Sequence, residues 1–237
     1  MQTTVIAVDV DGTLFDGHTV APAAVAALEQ ARGDGHLLVV VTGRRWDSLP
    51  EVLGPVLGLF HRVVGEEGGY LADVASGEVR LLAPALDPLL VGALRDAGVP
   101  DLDVGSVVVG GPVSHLEVFT DLCARIGGGR RVVINKQSVA LVPAGHDKRS
   151  GLLAVLDDLG MPDARVIAIG DAANDLPMFA AATVAVAVAN ADTAVRAAGI
   201  ELTELSFGDG VAEALRRHLP LRDPRRPSTD GPSPSRR

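Results

Sequence analysis

Thr4-Val5-Ile6-Ala7-Val8 runs without a break into Asp9-Val10-Asp11-Gly12-Thr13, and this junction sets the reading of the whole chain. An apolar, β-branched run with no polar alternation reads as a strand buried on both faces, the habit of parallel sheets. Leu37 to Val41 and Arg165 to Ile169 have the same character. Each also ends in polar residues: Thr42-Gly43-Arg44 after the second, Gly170-Asp171-Ala172-Ala173-Asn174-Asp175 after the third. Between the first two runs, Ala21 to Arg32 carries helical spacing at Val25, Leu28 and Ala31, with Pro22 in its first turn and Gly33 and Gly35 beyond its end. The result is a strand–helix–strand unit, whose crossover is expected to be right-handed. Ser48 to Leu59, Ser150 to Leu159, Asp175 to Ala182, Asp192 to Ala198 and Gly210 to His218 read as further helices, and Val184 to Val188 as another buried strand. The expected fold class is α/β, a Rossmann-like core around a parallel sheet.

The pattern changes between Ala83 and Ala144. Pro84 to Ala97 and Pro112 to Ile126 read as helices and Ser106 to Val109 as a strand. Arg131 to Asn135 and Ser138 to Val142 are two strands joined by Lys136-Gln137, a hairpin-sized gap. Antiparallel pairing inside a parallel pattern marks an inserted α+β module. The expected organisation is a core formed by 1–82 and 145–220, a cap formed by 83–144, and a Pro-, Arg- and Ser-rich tail over 221–237 expected to be disordered.

Ligands of doubly wound sheets bind beyond the carboxyl ends of the strands. With the three runs adjacent and parallel, Asp9, Asp11, Asp171, Asp175 and Thr42 meet at one edge. So many acids brought together need a cation. A hard divalent metal with oxygen ligands answers this, and Mg²⁺ suits a site that leaves part of its shell to phosphate and water. Asp9 and Asp11, two apart in an extended segment, project to the same side. One can attack phosphorus while the other passes a proton to the leaving alcohol and later activates water. Gly12 lets the chain turn so that backbone N–H groups face a phosphate oxygen.

These residues resemble a known family. Asp9-Val10-Asp11-Gly12-Thr13 after a strand is similar to the first motif of the haloacid dehalogenase superfamily, Val41-Thr42-Gly43-Arg44 to the second, Lys148 before a helix to the third, and Gly170 to Asp175 to the fourth. A module inserted between the second and third motifs resembles the Cof-like branch. The resemblance implies Asp9 as nucleophile and Asp11 as general acid/base, with Thr42, Gly43, Gly12 and Lys148 around the transferring phosphoryl group. It implies Mg²⁺ held by Asp9, the Asp11 carbonyl oxygen and Asp171, with Asp175, Asn174 and Arg44 in support. The implied activity is a phosphomonoester phosphatase working through an aspartyl phosphate on a small phosphorylated metabolite, either a sugar phosphate or a phosphoglycolate-like acid. A phosphomutase and a non-catalytic phosphate-binding protein are the competing readings. One departure stands out. Many relatives carry Glu-Asn-Gly after the third core strand where this chain reads Glu66-Glu67-Gly68, which bears on the leaving-group pocket. The cap is also short, which favours a small substrate.

Other features narrow the field. A net charge of −9 argues against nucleic-acid or anionic-membrane binding. No apolar stretch approaches the ~20 residues of a membrane span, and Met1 to Thr4 lack the basic region of a signal peptide. One cysteine, Cys123, excludes an intrachain disulfide and suits a reducing cytoplasm, the expected location. Cys123 reads as packing. A calcium loop starting at Asp9 is excluded by Thr13 and Val20, which stand where that loop needs an acid or amide and a glutamate. His18, His115 and His146 form no ligand spacing. Arg44 and Arg45 are open between substrate and surface, and Trp46 reads as packing between helix and sheet. Gly110-Gly111, Arg130-Arg131 and Lys136 are the cap residues expected nearest the substrate.

Overall fold

The computed structural model describes residues 3–127, 129–135 and 137–219. The expected tail and Lys136 lie outside them. In chain order the strands are β1 (Thr4–Val8), β2 (Leu37–Val41), β3 (Arg62–Gly65), β4 (Tyr70–Asp73), β5 (Val79–Leu81), β6 (Asp103–Val104), β7 (Val109–Pro112), β8 (Arg130–Asn135), β9 (Ser138–Pro143), β10 (Arg165–Gly170), β11 (Val184–Ala187) and β12 (Glu201–Leu202). The helices are α1 (Pro22–Gly33), α2 (Leu49–Leu53), α3 (Pro88–Asp96), α4 (Leu116–Arg125), α5 (Lys148–Asp158), α6 (Leu176–Phe179), α7 (Thr193–Ala197) and α8 (Phe207–His218).

Among the described residues the main sheet runs β12-β11-β10-β1-β2-β3-β4-β5. The first six are parallel, and β4 and β5 return antiparallel. The α/β class expected from the buried runs is what the chain adopts. β1 lies between β2 and β10, with Val8 opposite both Val40 and Ile169, so the three polar strand ends emerge side by side. One face of the sheet is covered by α1 and α8, through Leu28, Val211 and Leu215. The other is covered by α5, α6 and α7, through Leu152, Val155, Met178 and Val195. Both faces are dry, which is why the strands read as continuous apolar runs. Among the described residues no helix is long and apolar enough to cross a membrane.

A second, antiparallel sheet in the order β6-β7-β9-β8 carries α3 and α4 on one face, packed around Phe119, Leu94 and Leu141. The β8–β9 hairpin stands where the sequence puts it.

Several elements differ from expectation, each for a local reason. The helix expected over Ser48 to Leu59 breaks into α2 flanked by 3₁₀ turns at Trp46–Ser48 and Gly54–Leu59. Gly54 sits at φ +50° ahead of Pro55, and a left-handed residue followed by proline cannot continue an α-helix. α3 starts only at Pro88, where the Asp87 side chain caps it by accepting from Leu89 N–H. α4 is preceded by a 3₁₀ turn at Val113–His115, and the helix expected from Asp175 shortens to α6. Ser106 to Val108 do not form a strand. Their N–H groups all donate to the Glu66 carboxylate, a buried acceptor that takes the donors a ladder would need. Pairing begins at Val109 instead and runs through Gly110, Gly111 and Pro112 against β9.

Two histidines hold the ends of the sheet opposite the motifs. His36 Nδ1 accepts from Thr4 N–H (3.2 Å) and His61 Nδ1 accepts from Leu38 N–H (3.1 Å). Burial lowers the pKa of both, helped at His61 by Arg32 and Arg62. A depressed histidine pKa means the unfolded chain binds protons that the folded chain refuses. Stability is therefore full above the ordinary histidine pKa near ~6.5 and falls as the pH drops through it. The urea midpoint is expected to fall between pH 7.5 and 5.5, before carboxylates titrate, and to fall less in His36→Asn, whose amide oxygen keeps the acceptor without the titration.

Candidate active site

The three strand ends build one cluster. The hydrogen bond from Asp9 N–H to Ile169 O (3.0 Å) carries the β1–β10 ladder one residue beyond β1, and that from Thr42 N–H to Val64 O (2.9 Å) does the same for β2. Asp9 and Thr42 are thereby fixed by backbone before their side chains act. Gly170 ends β10 where an added Cβ would stand 2.6 Å from the Asp175 carboxylate, so glycine is what lets Asp175 fold back over the strand end.

Lys148 is the hub. Its Nζ donates to Asp9 Oδ1 at 2.7 Å and to Asp175 Oδ1 at 2.6 Å. The lysine is 1% exposed, Asp9 5%, Asp171 2% and Asp175 0%. It enters from the first turn of α5, which is held by a reciprocal cap: Asp147 Oδ1 accepts from Ser150 N–H, and Ser150 Oγ accepts from Asp147 N–H. One turn on, Gly151 brings α5 against β3. A Cβ there would sit 2.9 Å from Gly68 Cα and inside the Val64 side chain. Gly151→Ala should therefore destabilise the protein by about 2 kcal/mol, the usual cost of overpacking, read as a lower urea midpoint at unchanged slope.

Asp175 is fully committed. Its Oδ1 meets Lys148, and its Oδ2 accepts from the N–H groups of Asp171 (2.9 Å) and Ala172 (3.0 Å). Asp171 Oδ1 accepts from Thr13 Oγ at 3.0 Å. Carboxylate oxygens of Asp9, Asp171 and Asp175 all lie within 4.8 Å of one another. Burial pushes the Asp9 pKa well above the usual carboxylate range, and Asp175 and Asp171 add to this while Lys148 opposes it. Burial alone would depress Lys148, but Asp175, Asp9 and Glu67 outweigh it and hold the ammonium above its usual range.

Three buried carboxylates against one buried ammonium leave an excess of two negative charges, and a hard divalent cation matches both that excess and the oxygen donors. The residues thus fit a metal. Asp175, with both oxygens taken, is better suited to holding Lys148 and the 171–172 backbone than to ligating. Asp9 and Asp171 are the side chains better suited to ligate.

Asp11 turns the other way. Arg44 grips it with two parallel bonds, Nε to Oδ2 and Nη2 to Oδ1, each 2.7 Å. Arg44, open between substrate and surface in the sequence, thus belongs to the site. Thr42 Oγ accepts from Arg44 N–H at 3.2 Å. Gly12 adopts φ +93° and makes the turn expected of it, yet its own N–H is spent on Phe15 O (2.9 Å), so this amide does not face the cluster. Asn190 steadies the turn by donating to Gly12 O.

Asp9, Asp11, Thr42, Gly43 and Arg44 open on a cavity of about 760 Å³ whose far wall is the second sheet, including Gly110 and Gly111. Arg45 ties the two sides together with an ion pair to Asp103 (2.8 Å). Arg130 and Arg131 are turned to backbone carbonyls, of Val107 and of His146. His18, His115 and His146 line no part of this cavity. Cys123 donates its thiol to Arg130 O, and Trp46 packs against the core. No local sequence signal marks Thr13 as the brace of Asp171, or Glu67 as the partner of Asn174 (2.9 Å).

The family model described as haloacid dehalogenase-like hydrolase matches residues 6–86 and 111–215. A phosphoglycolate phosphatase of Haloarcula marismortui is 33% identical over 228 residues, covering 91% of this chain and 96% of the relative. The 5-amino-6-(5-phospho-D-ribitylamino)uracil phosphatase YitU of Bacillus subtilis is 26% identical over 263 residues, covering 91% and 97%. In fold, the chain resembles the crystal structure of a haloacid dehalogenase-like hydrolase from Bacteroides thetaiotaomicron, with a TM-score of 0.77 at 23% identity over 91% of this chain and 99% of that one.

Proposed function

The chain belongs to the haloacid dehalogenase-like hydrolases and is a phosphatase of that family, and from this premise we propose that it hydrolyses a small phosphomonoester through an aspartyl phosphate on Asp9. The observation that carries the reading is the Lys148 ammonium held between Asp9 and Asp175 beside Asp171. With this ammonium beside it, and with a bound metal that would offset the burial of its charge, Asp9 would face the cavity as the anion that the attack requires.

In this proposal an Asp9 carboxylate oxygen forms the new bond to phosphorus as the bond from phosphorus to the leaving oxygen breaks. Asp11, once it has left the Arg44 pair and taken a proton from solvent, gives the proton that the leaving alkoxide needs. A water then attacks the aspartyl phosphate, Asp11 takes its proton, and inorganic phosphate departs with Asp9 restored. Thr42 and Lys148 meet the equatorial oxygens, where charge is spread in the transition state. Asp9, the Asp11 carbonyl oxygen and Asp171 would hold Mg²⁺, which would supply the remaining positive charge when bound. Arg44 keeps Asp11 at the cavity, and Asp175 keeps Lys148 pointed at Asp9. The second sheet with α3 and α4 acts as a cap that shields the reaction from bulk water. The substrate is a small phosphorylated metabolite, a sugar phosphate or a phosphoglycolate-like acid, and the work is done in the cytoplasm.

A screen of phosphorylated metabolites with and without Mg²⁺ tests this. Release of inorganic phosphate that depends on Mg²⁺ is expected. Conversion of a hexose 1-phosphate to an isomer without phosphate release would point to a mutase, and tight binding without turnover to a non-catalytic protein.

A further inference from the structure

Asn190 lies outside the four motifs, yet its side chain closes on the first of them. It follows β11, where Val188 N–H donates to Gly170 O (3.1 Å) and Ala189 N–H to Leu205 O (3.0 Å), so the backbone leading to it is held on both sides. From there its Nδ2 donates to Gly12 O at 2.7 Å, and its Oδ1 accepts from Phe207 N–H at 2.8 Å. A carbonyl on one side and an N–H on the other fix which end of the amide faces which partner. In the sheet order β11-β10-β1, this side chain spans the end of β10 to grip the turn after β1.

Its far end rests on a rigid support. Phe207 opens α8 at φ +50°, a left-handed residue that is not glycine and is kept there by its surroundings. The next residue, Gly208, has no room for a side chain, since a Cβ would stand 2.9 Å from the Ala21 Cβ at the start of α1. Further along α8, the Glu213 carboxylate accepts from the N–H groups of Glu204 and Leu205 and ties down the segment that leads into the helix. Packing and backbone bonds together fix the first turn of α8.

The turn that Asn190 grips carries Asp11. Its backbone bonds, from Gly12 N–H to Phe15 O and from Thr13 and Phe15 N–H to Val10 O, close the turn on itself. They leave its place over the site to contacts from other elements, the bond from Thr13 to Asp171 among them. Arg44 pulls on the Asp11 carboxylate from the β2 side. Asn190 holds the backbone one residue on, from the β11 side. Asp11 has to leave Arg44 to meet the leaving oxygen, and the Asn190 bond persists when it does, so the motion stays within the side chain. We infer that Asn190 is a positioning residue for the general acid, anchoring the Gly12 carbonyl so that Asp11, freed from Arg44, reaches the leaving oxygen. The inference rests on the phosphatase reading above and deepens it.

The test compares substrates whose leaving groups differ in their need for a proton. p-Nitrophenyl phosphate releases a stable phenolate unaided, whereas benzyl phosphate, of similar size, releases an alkoxide that must be protonated as it leaves. The ratio kcat/KM reads the first phosphoryl transfer, in which Asp11 acts as acid, and leaves out the later attack of water. Asn190→Ala is expected to lower kcat/KM on benzyl phosphate by ~30-fold, a fraction of the ~10²- to 10⁴-fold that a general acid supplies, and on p-nitrophenyl phosphate by less than ~3-fold. Asn190→Asp, which keeps the bond from Phe207 and turns an oxygen toward Gly12 O, should show the same split with the α8 support intact. In an Asp11→Asn background, Asn190→Ala should change the ratio between the two substrates by less than ~2-fold, since no acid is left to position. Equal losses on both substrates in the folded variants, or a further change of ratio without Asp11, overturn the assignment and leave Asn190 a brace of the fold alone. Absence of wild-type turnover on p-nitrophenyl phosphate would instead strike the phosphatase reading itself.

Discussion

Asp9→Asn should lower phosphatase turnover by ~10⁵-fold, the scale seen when a covalent nucleophile is removed, and should leave folding stability within about 1 kcal/mol of wild type or raise it. The two halves follow from one geometry. Asp9 is buried, and its charge is opposed by burial and by the neighbouring Asp175 and Asp171. Its ionised state is thus tolerated by the fold, not favoured by it. Asn keeps an oxygen to accept from Lys148, and Lys148 keeps its second partner, Asp175, at 2.6 Å. What disappears is the anionic nucleophile. Steady-state kinetics on p-nitrophenyl phosphate and urea unfolding of the same preparation read the two effects separately. A loss of both together would make Asp9 a structural residue.

Lys148 behaves oppositely. Lys148→Met should cost about 3–5 kcal/mol of stability, the penalty for removing one partner of a buried ion pair, and lower turnover by ~100-fold or more through the lost contact to the phosphoryl oxygens. The methionine fills most of the volume, so packing is nearly conserved and the loss is electrostatic. Asp9 and Asp175 are left facing Asp171 with no internal cation, and protonation is their alternative to unfolding. A divalent cation then has more charge to neutralise than in wild type. The rise in melting temperature on adding Mg²⁺ should be larger in Lys148→Met than in the parent, a readout independent of catalysis. An equal or smaller rise would mean that the metal and the lysine do not share this cluster.

Much of this was legible because burial on both faces writes parallel strands as unbroken apolar runs. β1, β2 and β10 were visible for that reason, whereas their adjacency was a condition of the reading that the strand pairing supplies. The polar strand ends pointed to a cation through four acids at one edge, of which the structure gathers Asp9, Asp171 and Asp175 and turns Asp11 to Arg44. What stayed hidden depends on contacts distant in sequence. Ser106 to Val108 look like a strand until Glu66, 40 residues earlier for Ser106, takes their amides. Gly110 and Gly111 carry no strand signal and Pro112 reads as the start of a helix, yet β9 pairs with all three. Arg44 carries no local sign that it will grip Asp11, nor Thr13 that it will brace Asp171. Glu67 was visible as a departure from a pattern, but its bond to Asn174 required the fold.

The most direct test of the account is chemical capture of the phosphoenzyme. Enzyme mixed with substrate and Mg²⁺, quenched in acid and reduced with borohydride, converts an aspartyl phosphate to homoserine, which peptide mass spectrometry can locate. Homoserine at position 9 is the predicted result. Homoserine at position 11, or full turnover with no modified aspartate in the 4–13 segment, would contradict it.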